Sequence, residues 1–290
     1  MTTTLSTYTT IEKNLASYQK VTANEPTVKG DTAYYEKNIG KVTTSQQFVS
    51  NYQLLSYALN AYGLGKYASD TAMVKKVLDE GTTSRTALAN TLTNPNWKAF
   101  AKAFNFSASA TSKPSSKTSV ATTTSDFVEQ QLEVDQGQTD PGAQLALYFK
   151  RVAPTVTSGY GFIGDQNLLD VVATAFGFSP SITTSQVDST ENEITKLMPL
   201  KDLQDPTKLN KILTKFAANY DADYGAGSTN PGGLTVTNNN TNSTSTTAGA
   251  TSVLSGIESS NSSELSGLTG TTNLFSTSLL SAVQGLKVGG

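Results

Sequence analysis

Gly159-Tyr160-Gly161-Phe162-Ile163-Gly164 spells G-x-G-x-x-G, the string of dinucleotide-binding loops. That chemistry needs a strand before the glycines, a helix opening at them, and an acidic residue about 20 positions on. The preceding run, Arg151-Val152-Ala153-Pro154-Thr155, does not read as a buried strand, so the string reads as a flexible connection between helices. Asp221-Ala222-Asp223-Tyr224-Gly225 carries the first two acidic positions of a calcium loop but lacks the third, the central glycine and the terminal glutamate. It reads as a helix end running into a linker. Glu191, Glu193, Asp202 and Asp205 could serve as general acids only if buried, and their polar surroundings read as a solvated face. Serines are abundant, yet the chain has no histidine to activate one. No catalytic residue, cofactor-binding residue or metal ligand is expected from these patterns.

Composition narrows the classes further. The chain has 290 residues, a net charge of −2, 15% charged residues, no cysteine, no histidine and one tryptophan. Zinc, iron–sulfur, haem and Cys/His nucleophilic sites therefore lose their usual ligands or bases, and a disulfide framework is impossible. Without a Lys/Arg run there is no electrostatic footprint for nucleic acid or anionic lipid. No apolar stretch approaches the roughly 18–20 residues that span a bilayer, so no membrane insertion is expected. The first residues, Met1-Thr2-Thr3-Thr4-Leu5, lack the charged and apolar regions of a secretory signal. The reading is a non-enzyme with no small-molecule substrate.

Apolar periodicity predicts an all-α chain. In residues 1–30, Leu5, Tyr8, Ile11, Leu15 and Tyr18 recur at three- and four-residue steps, one stripe along a helix. Residues 31–106 read as a first helical unit. Asp31 caps a helix through Tyr35 and Ile39, and Thr44 or Ser45 caps a longer one from Phe48 to Tyr62 that stops at Gly63. Ser69 or Asp70 opens a helix ended by Gly81, and Pro95 opens the last, through Trp97, Phe100 and Phe104. Tyr34, Tyr35, Tyr52, Tyr57, Tyr62, Trp97, Phe100 and Phe104 sit at helical spacing, which predicts core packing rather than a sugar or base platform. Residues 107–125 read as a flexible Ser/Thr linker, 126–224 as a second helical unit, 225–272 as a low-complexity disordered tether, and 273–290 as a short amphipathic helix.

The two units also read as copies. At a spacing of 114 residues, Tyr34-Tyr35 aligns with Tyr148-Phe149, Lys37 with Arg151, Phe48 with Phe162, Leu54-Leu55 with Leu168-Leu169, and Ala61-Tyr62-Gly63 with Ala175-Phe176-Gly177. After a small shift, Asn94-Pro95 meets Asp205-Pro206 and Phe104 meets Phe216.

Several strings carry a resemblance to a known family. They are Asp31-Thr-Ala-Tyr-Tyr-Glu-Lys-Asn-Ile-Gly-Lys-Val42, the run from Phe48 to Leu64 with its Leu54-Leu55-Ser56-Tyr57-Ala58-Leu59, Lys75-Lys76-Val77-Leu78-Asp79-Glu80-Gly81, and Asn94-Pro-Asn-Trp-Lys-Ala-Phe100. They are similar to domain of unknown function 1217, a family of alphaproteobacterial proteins often encoded among flagellar genes. The family has no defined activity, so the resemblance brings no site residue with it. It implies a flagellum-associated structural or assembly protein, located in the flagellum or outside the cell by flagellar export without a cleaved signal. Its partners would be other flagellar proteins or further copies of itself. The alternative is a cytoplasmic, chaperone-like or regulatory binding module for flagellar assembly. Scarce Cys, His and Trp and about a quarter Ser plus Thr agree with export. The expected contact residues are the terminal stripes: Leu5, Tyr8 and Leu15 at one end, and Leu274, Phe275, Leu279, Leu280, Val283 and Leu286 at the other.

Overall fold

Helix starts follow the short polar side chains that precede them. Thr3, Thr44, Asn51, Asp70, Ser116, Asp140 and Asp165 each accept a hydrogen bond from a backbone N–H in the first turn of the helix they open. This satisfies a donor that has no partner within the helix. The computed structural model describes residues 3–106, 113–179 and 186–224, and among these residues it holds helices and connecting segments with no strand. The expected tether 225–272 and terminal helix 273–290 lie outside them.

The helices are α1 (Thr4–Lys13), α2 (Leu15–Ala23), α3 (Pro26–Ile39), α4 (Ser45–Ser50), α5 (Tyr52–Ala61), α6 (Thr71–Glu80), α7 (Leu88–Thr91) and α8 (Asn96–Ala103). There follow α9 (Lys117–Gly137), α10 (Pro141–Val152), α11 (Tyr160–Ile163), α12 (Gln166–Phe176), α13 (Val187–Leu197) and α14 (Pro206–Tyr224). Two buried clusters organise them. The first gathers Tyr35, Phe48, Leu55, Trp97, Phe100 and Phe104, with Phe48 and Phe100 both stacked on Phe104 at centroid distances of 5.0 and 4.9 Å. The second gathers Phe149, Phe162, Leu168, Val171, Phe216 and Tyr220. Of the eight aromatics expected in the core, six are buried. Tyr34 is half-buried, and Tyr52 is 52% exposed.

Four boundaries differ from the sequence expectation. The N-terminal stripe is broken at Asn14 (φ −126°, ψ 22°), so α1 and α2 are separate helices. α3 starts at Pro26, whose fixed φ suits a first helical position, and Asp31 lies inside the helix rather than capping it. The helix expected from residue 45 to 62 is cut at Asn51, which caps α5. The stretch 107–125 is not wholly a linker, because Ser116 caps α9 and the helix runs from Lys117. Its Thr/Ser-rich first turns carry little apolar signal. α9 also passes through the expected unit boundary, placing Phe127 in the first cluster and Leu132 in the second.

The same local geometry occurs at residues 114 apart. Leu54 N–H donates to the Asn51 side chain and Leu168 N–H to that of Asp165. The Tyr34 hydroxyl accepts from the Asn51 side chain at 3.1 Å, and the Tyr148 hydroxyl donates to Asp165 at 2.7 Å. Both helices stop at a left-handed glycine, Gly63 (φ 68°) and Gly177 (φ 78°). After each, an N–H reaches back five residues, Leu64 to Leu59 and Phe178 to Ala173. At the later pair, Asn94 accepts from Asn96 N–H and Asp205 from Thr207 N–H, both at 2.9 Å.

Candidate functional site

Between the two clusters runs a seam of buried polar groups. Arg151 on α10 grips Glu133 on α9 with two parallel hydrogen bonds, Nε to Oε1 at 2.6 Å and Nη2 to Oε2 at 2.8 Å. Its third donor, Nη1, reaches the Ala61 carbonyl at the end of α5, where a cation also meets the negative end of the helix dipole. Burial works against the guanidinium charge, but Glu133's charge and hydrogen bonds outweigh it and hold Arg151 above its ordinary pKa. Asp126, one helical face along α9, is pushed up to about 6 by burial; Arg151 opposes that shift while Glu129 and Glu133 add to it.

The seam continues through Tyr148. Its hydroxyl donates to Asp165 and accepts from the Asn96 side chain at 3.0 Å, while Asn94 also donates to Asp165 at 3.0 Å. Burial followed by the Asp165 charge raises the Tyr148 pKa, so the hydroxyl keeps its proton. These bonds tie α10 to α9, to the end of α5, to the start of α8 and to the cap of α12, and a satisfied network of this kind rigidifies the fold.

A second polar cluster holds α1. The Thr4 and Leu5 N–H groups donate to the Asp221 carboxylate at 2.7 and 3.0 Å, and the Thr4 hydroxyl donates to Asp140 at 2.8 Å. The Tyr8 hydroxyl donates to Asn210 at 2.6 Å, and Glu12 is ion-paired with Lys150. Tyr8 and Ile11 are buried in the second cluster, with Leu5 and Leu15 packed against it. Of the N-terminal members of the expected contact set, Tyr8 is buried in the second cluster, while Leu5 on α1 and Leu15 on α2 are half-buried against it. Leu274, Phe275, Leu279, Leu280, Val283 and Leu286 lie outside the described residues.

The sequence strings take other roles. The glycines at 159–164 are close-packing positions and not a flexible connection. A Cβ at Gly159 would meet Glu191 at 2.7 Å, at Gly161 the side chain of Val156 at 2.8 Å, and at Gly164 the Thr93 backbone at 2.6 Å. A short 3-10 turn, Ala153–Thr155, stands where a dinucleotide-binding loop would require a strand. Asp221 is spent on the start of α1, Asp205 on the start of α14, and Asp202 on Lys208. No three His, Cys, Asp or Glu side chains are grouped to share a metal ion among the described residues, and no described helix is long and apolar enough to cross a membrane.

Glu133, Arg151 and Asp165 were not singled out from the sequence, although a signal was there. Glu133 sits between Leu132 and Val134, and Arg151 follows Tyr148 by three residues, so both charges fall on a core-facing stripe. A charge at such a position requires a buried partner.

Among the described residues the fold is all-helical, with two buried clusters tied by a polar seam. The chain belongs to the family described as protein of unknown function (DUF1217), whose profile matches residues 61–209, from the end of α5 to the start of α14. It is also similar to a solved crystal structure, that of protein AGR_C_984 from Agrobacterium tumefaciens. That similarity has 33% sequence identity and a TM-score of 0.67, covering 74% of this chain and 91% of the other. No curated protein matches the chain.

Proposed function

We propose that this protein acts by protein–protein contact as a structural or assembly component of the bacterial flagellum, exported without a cleaved signal. The observation that carries the reading is the use of the interior charges: buried Glu133 and Asp165 and half-buried Arg151 and Asp221 each bind another helix, and this suits a load-bearing scaffold better than a reaction centre. The flagellar context comes from the family resemblance of Asp31–Val42 and Phe48–Leu64. The seating of α1 in the second cluster favours a second reading, an assembly factor that stays in the cytoplasm, because the N-terminal stripe is already occupied.

The two halves belong, in this proposal, to one duplicated unit. The paired caps Asn51 and Asp165, the paired tyrosines and the paired glycine stops support it. Mass spectrometry of sheared flagella, hook–basal bodies and culture supernatant tests the function in wild-type cells and in a strain lacking the export ATPase. Enrichment in the appendage that vanishes in the mutant is expected. Retention in the cytoplasm of both strains would move the assignment to the internal factor.

A further inference from the structure

Four side chains from three helices meet where α1 lies on α10 and α14. Asn210 on α14 is held at both ends of its amide. Its Oδ1 accepts from the Tyr8 hydroxyl at 2.6 Å, and its Nδ2 donates to Oε1 of Glu12 at 3.4 Å. The other oxygen of Glu12, Oε2, takes the Lys150 ammonium of α10. An ionised carboxylate only accepts, so the amide nitrogen must face Glu12 and the amide oxygen Tyr8. The Lys150 amine and the Asn210 amide thus share the two oxygens of one carboxylate. The place is largely covered: Tyr8 is 2% exposed, and the side chains of Lys150 and Glu12 are 26% and 27% exposed.

Each group has a part that amide exchange requires. An amine attacks an amide carbon when it is free of its extra proton, when the carbonyl oxygen is polarised and when the departing nitrogen can be protonated. Glu12 touches both nitrogens, so it can take a proton from one and give it to the other. Tyr8 aims its O–H at the oxygen on which negative charge develops. Burial, and then the charge of Glu12, raises the Tyr8 pKa, so the proton stays on the hydroxyl. Nζ must pass from the carboxylate to the amide carbon, which the flexible lysine stem permits, and groups held side by side react far faster than the same groups free in solution. At the spacing of 114 residues Glu36 stands in the place of Lys150, so the constellation belongs to the second half alone.

We propose that Lys150 and Asn210 join in an intramolecular isopeptide bond between α10 and α14, with Glu12 carrying the proton and Tyr8 polarising the carbonyl. The bond from Lys150 Nζ to Asn210 Cγ forms, and the bond from Cγ to Nδ2 breaks. The lysine ammonium gives up two protons, which pass by way of Glu12 to the departing nitrogen. That nitrogen leaves as ammonium, the carboxylate is regenerated, and no oxidant or further reactant is consumed. Because Tyr8 and Glu12 both come from α1, the bond forms only once α1 is seated, and it then closes the chain from 150 to 210 into a covalent loop. The bond forms whether or not the protein belongs to a flagellum, so either reading can fail while the other stands.

Intact-mass spectrometry of the purified full-length chain, kept folded at growth temperature, tests the bond. The expected mass is about 17 Da below that of the sequence, the loss of one ammonia. Trypsin should then release the peptide ending at Arg151, uncut at Lys150 and joined to Leu209-Asn210-Lys211. Glu12→Gln keeps the shape but cannot carry the proton, and it should retain the full mass, as should Lys150→Arg. Tyr8→Phe should slow the loss several-fold, and circular dichroism verifies that each variant folds. A wild-type chain that keeps its full mass would overturn the proposal, and this reading does not depend on any variant. So would a deficit confined to a single peptide, the mark of an asparagine closing on its own backbone, or a cross-link that forms equally fast in Glu12→Gln.

Discussion

Asn51 and Asp165 occupy the same place before two helices 114 residues apart, and each has a side-chain oxygen on the N–H three residues on and a tyrosine hydroxyl beside it. At Asn51 the named contacts are to Leu54 and Tyr34, both in the same half. At Asp165 the second carboxylate oxygen also takes the Asn94 side chain, while Asn96 reaches the adjoining Tyr148 hydroxyl. A carboxylate accepts more hydrogen bonds than an amide oxygen, and stronger ones. One acid in place of an amide thus turns a local cap into a joint between halves. The same contrast holds between Lys37, which is exposed, and Arg151, which is half-buried with Glu133 and the Ala61 carbonyl.

The comparison breaks most visibly at Arg151. Arg151→Ala strands a buried Glu133 carboxylate and should destabilise the fold by about 3–5 kcal/mol. Lys37→Ala should stay within about 0.5 kcal/mol. Urea unfolding of both variants measures the difference, and equal losses would remove Arg151 from its role in the seam. Next come the caps. Asp165→Ala loses a cap and leaves Tyr148, Asn94 and Asn96 short of a partner, for about 2–4 kcal/mol. Asn51→Ala, at its half-exposed counterpart, should cost about 1 kcal/mol. Asp165→Asn, isosteric but with one acceptor fewer, should fall between them.

A smaller effect is read against pH. Burial pushes Asp126 up to about 6, and it does the same for Asp170 on α12, where Gln166 opposes the shift and Asp165 adds to it. Both carboxyls bind protons more tightly folded than unfolded, so the contribution to stability is fully present below the unfolded value near 4. It is lost as pH rises through about 6. Raising pH from 5 to 7 should therefore cost about 1 kcal/mol per group. Asp126→Asn should remove one share of that slope and Asp170→Asn the other, as read by denaturant unfolding at each pH. A last effect, comparable in size, is at the helix stops. Gly177→Ala has open space around its Cβ, so its cost of about 1 kcal/mol comes from the left-handed backbone alone.

Much of the helical layout was legible because caps and stops are local chemistry. Thr44, Asp70, Gly63 and Gly81 mark ends in the sequence and in the structure alike. The errors arose where local and tertiary terms compete. The Thr/Ser-rich start of α9 looks like a linker until Thr123 and Phe127 find the first cluster. The bend at Asn14 has no proline or glycine to announce it. The seam was legible only in part: periodicity marks Glu133 and Arg151 as charges on a core-facing stripe, but it does not reveal which elements distant in sequence meet them. The expected contact stripe Leu5–Tyr8–Leu15 was correctly read as apolar, but an apolar face carries no mark of whether its partner is another molecule or the same chain.

The clasp between the Thr4 and Leu5 amides and Asp221 sets an order of events during synthesis. α1 must wait for its place, because its acceptors at Asn210 and Asp221 are translated some two hundred residues later. At about 5–20 residues per second, that interval is on the order of ten to forty seconds. Throughout it the second cluster stands open and the leading helix unhoused. A nascent chain with this topology offers chaperones a defined segment to hold.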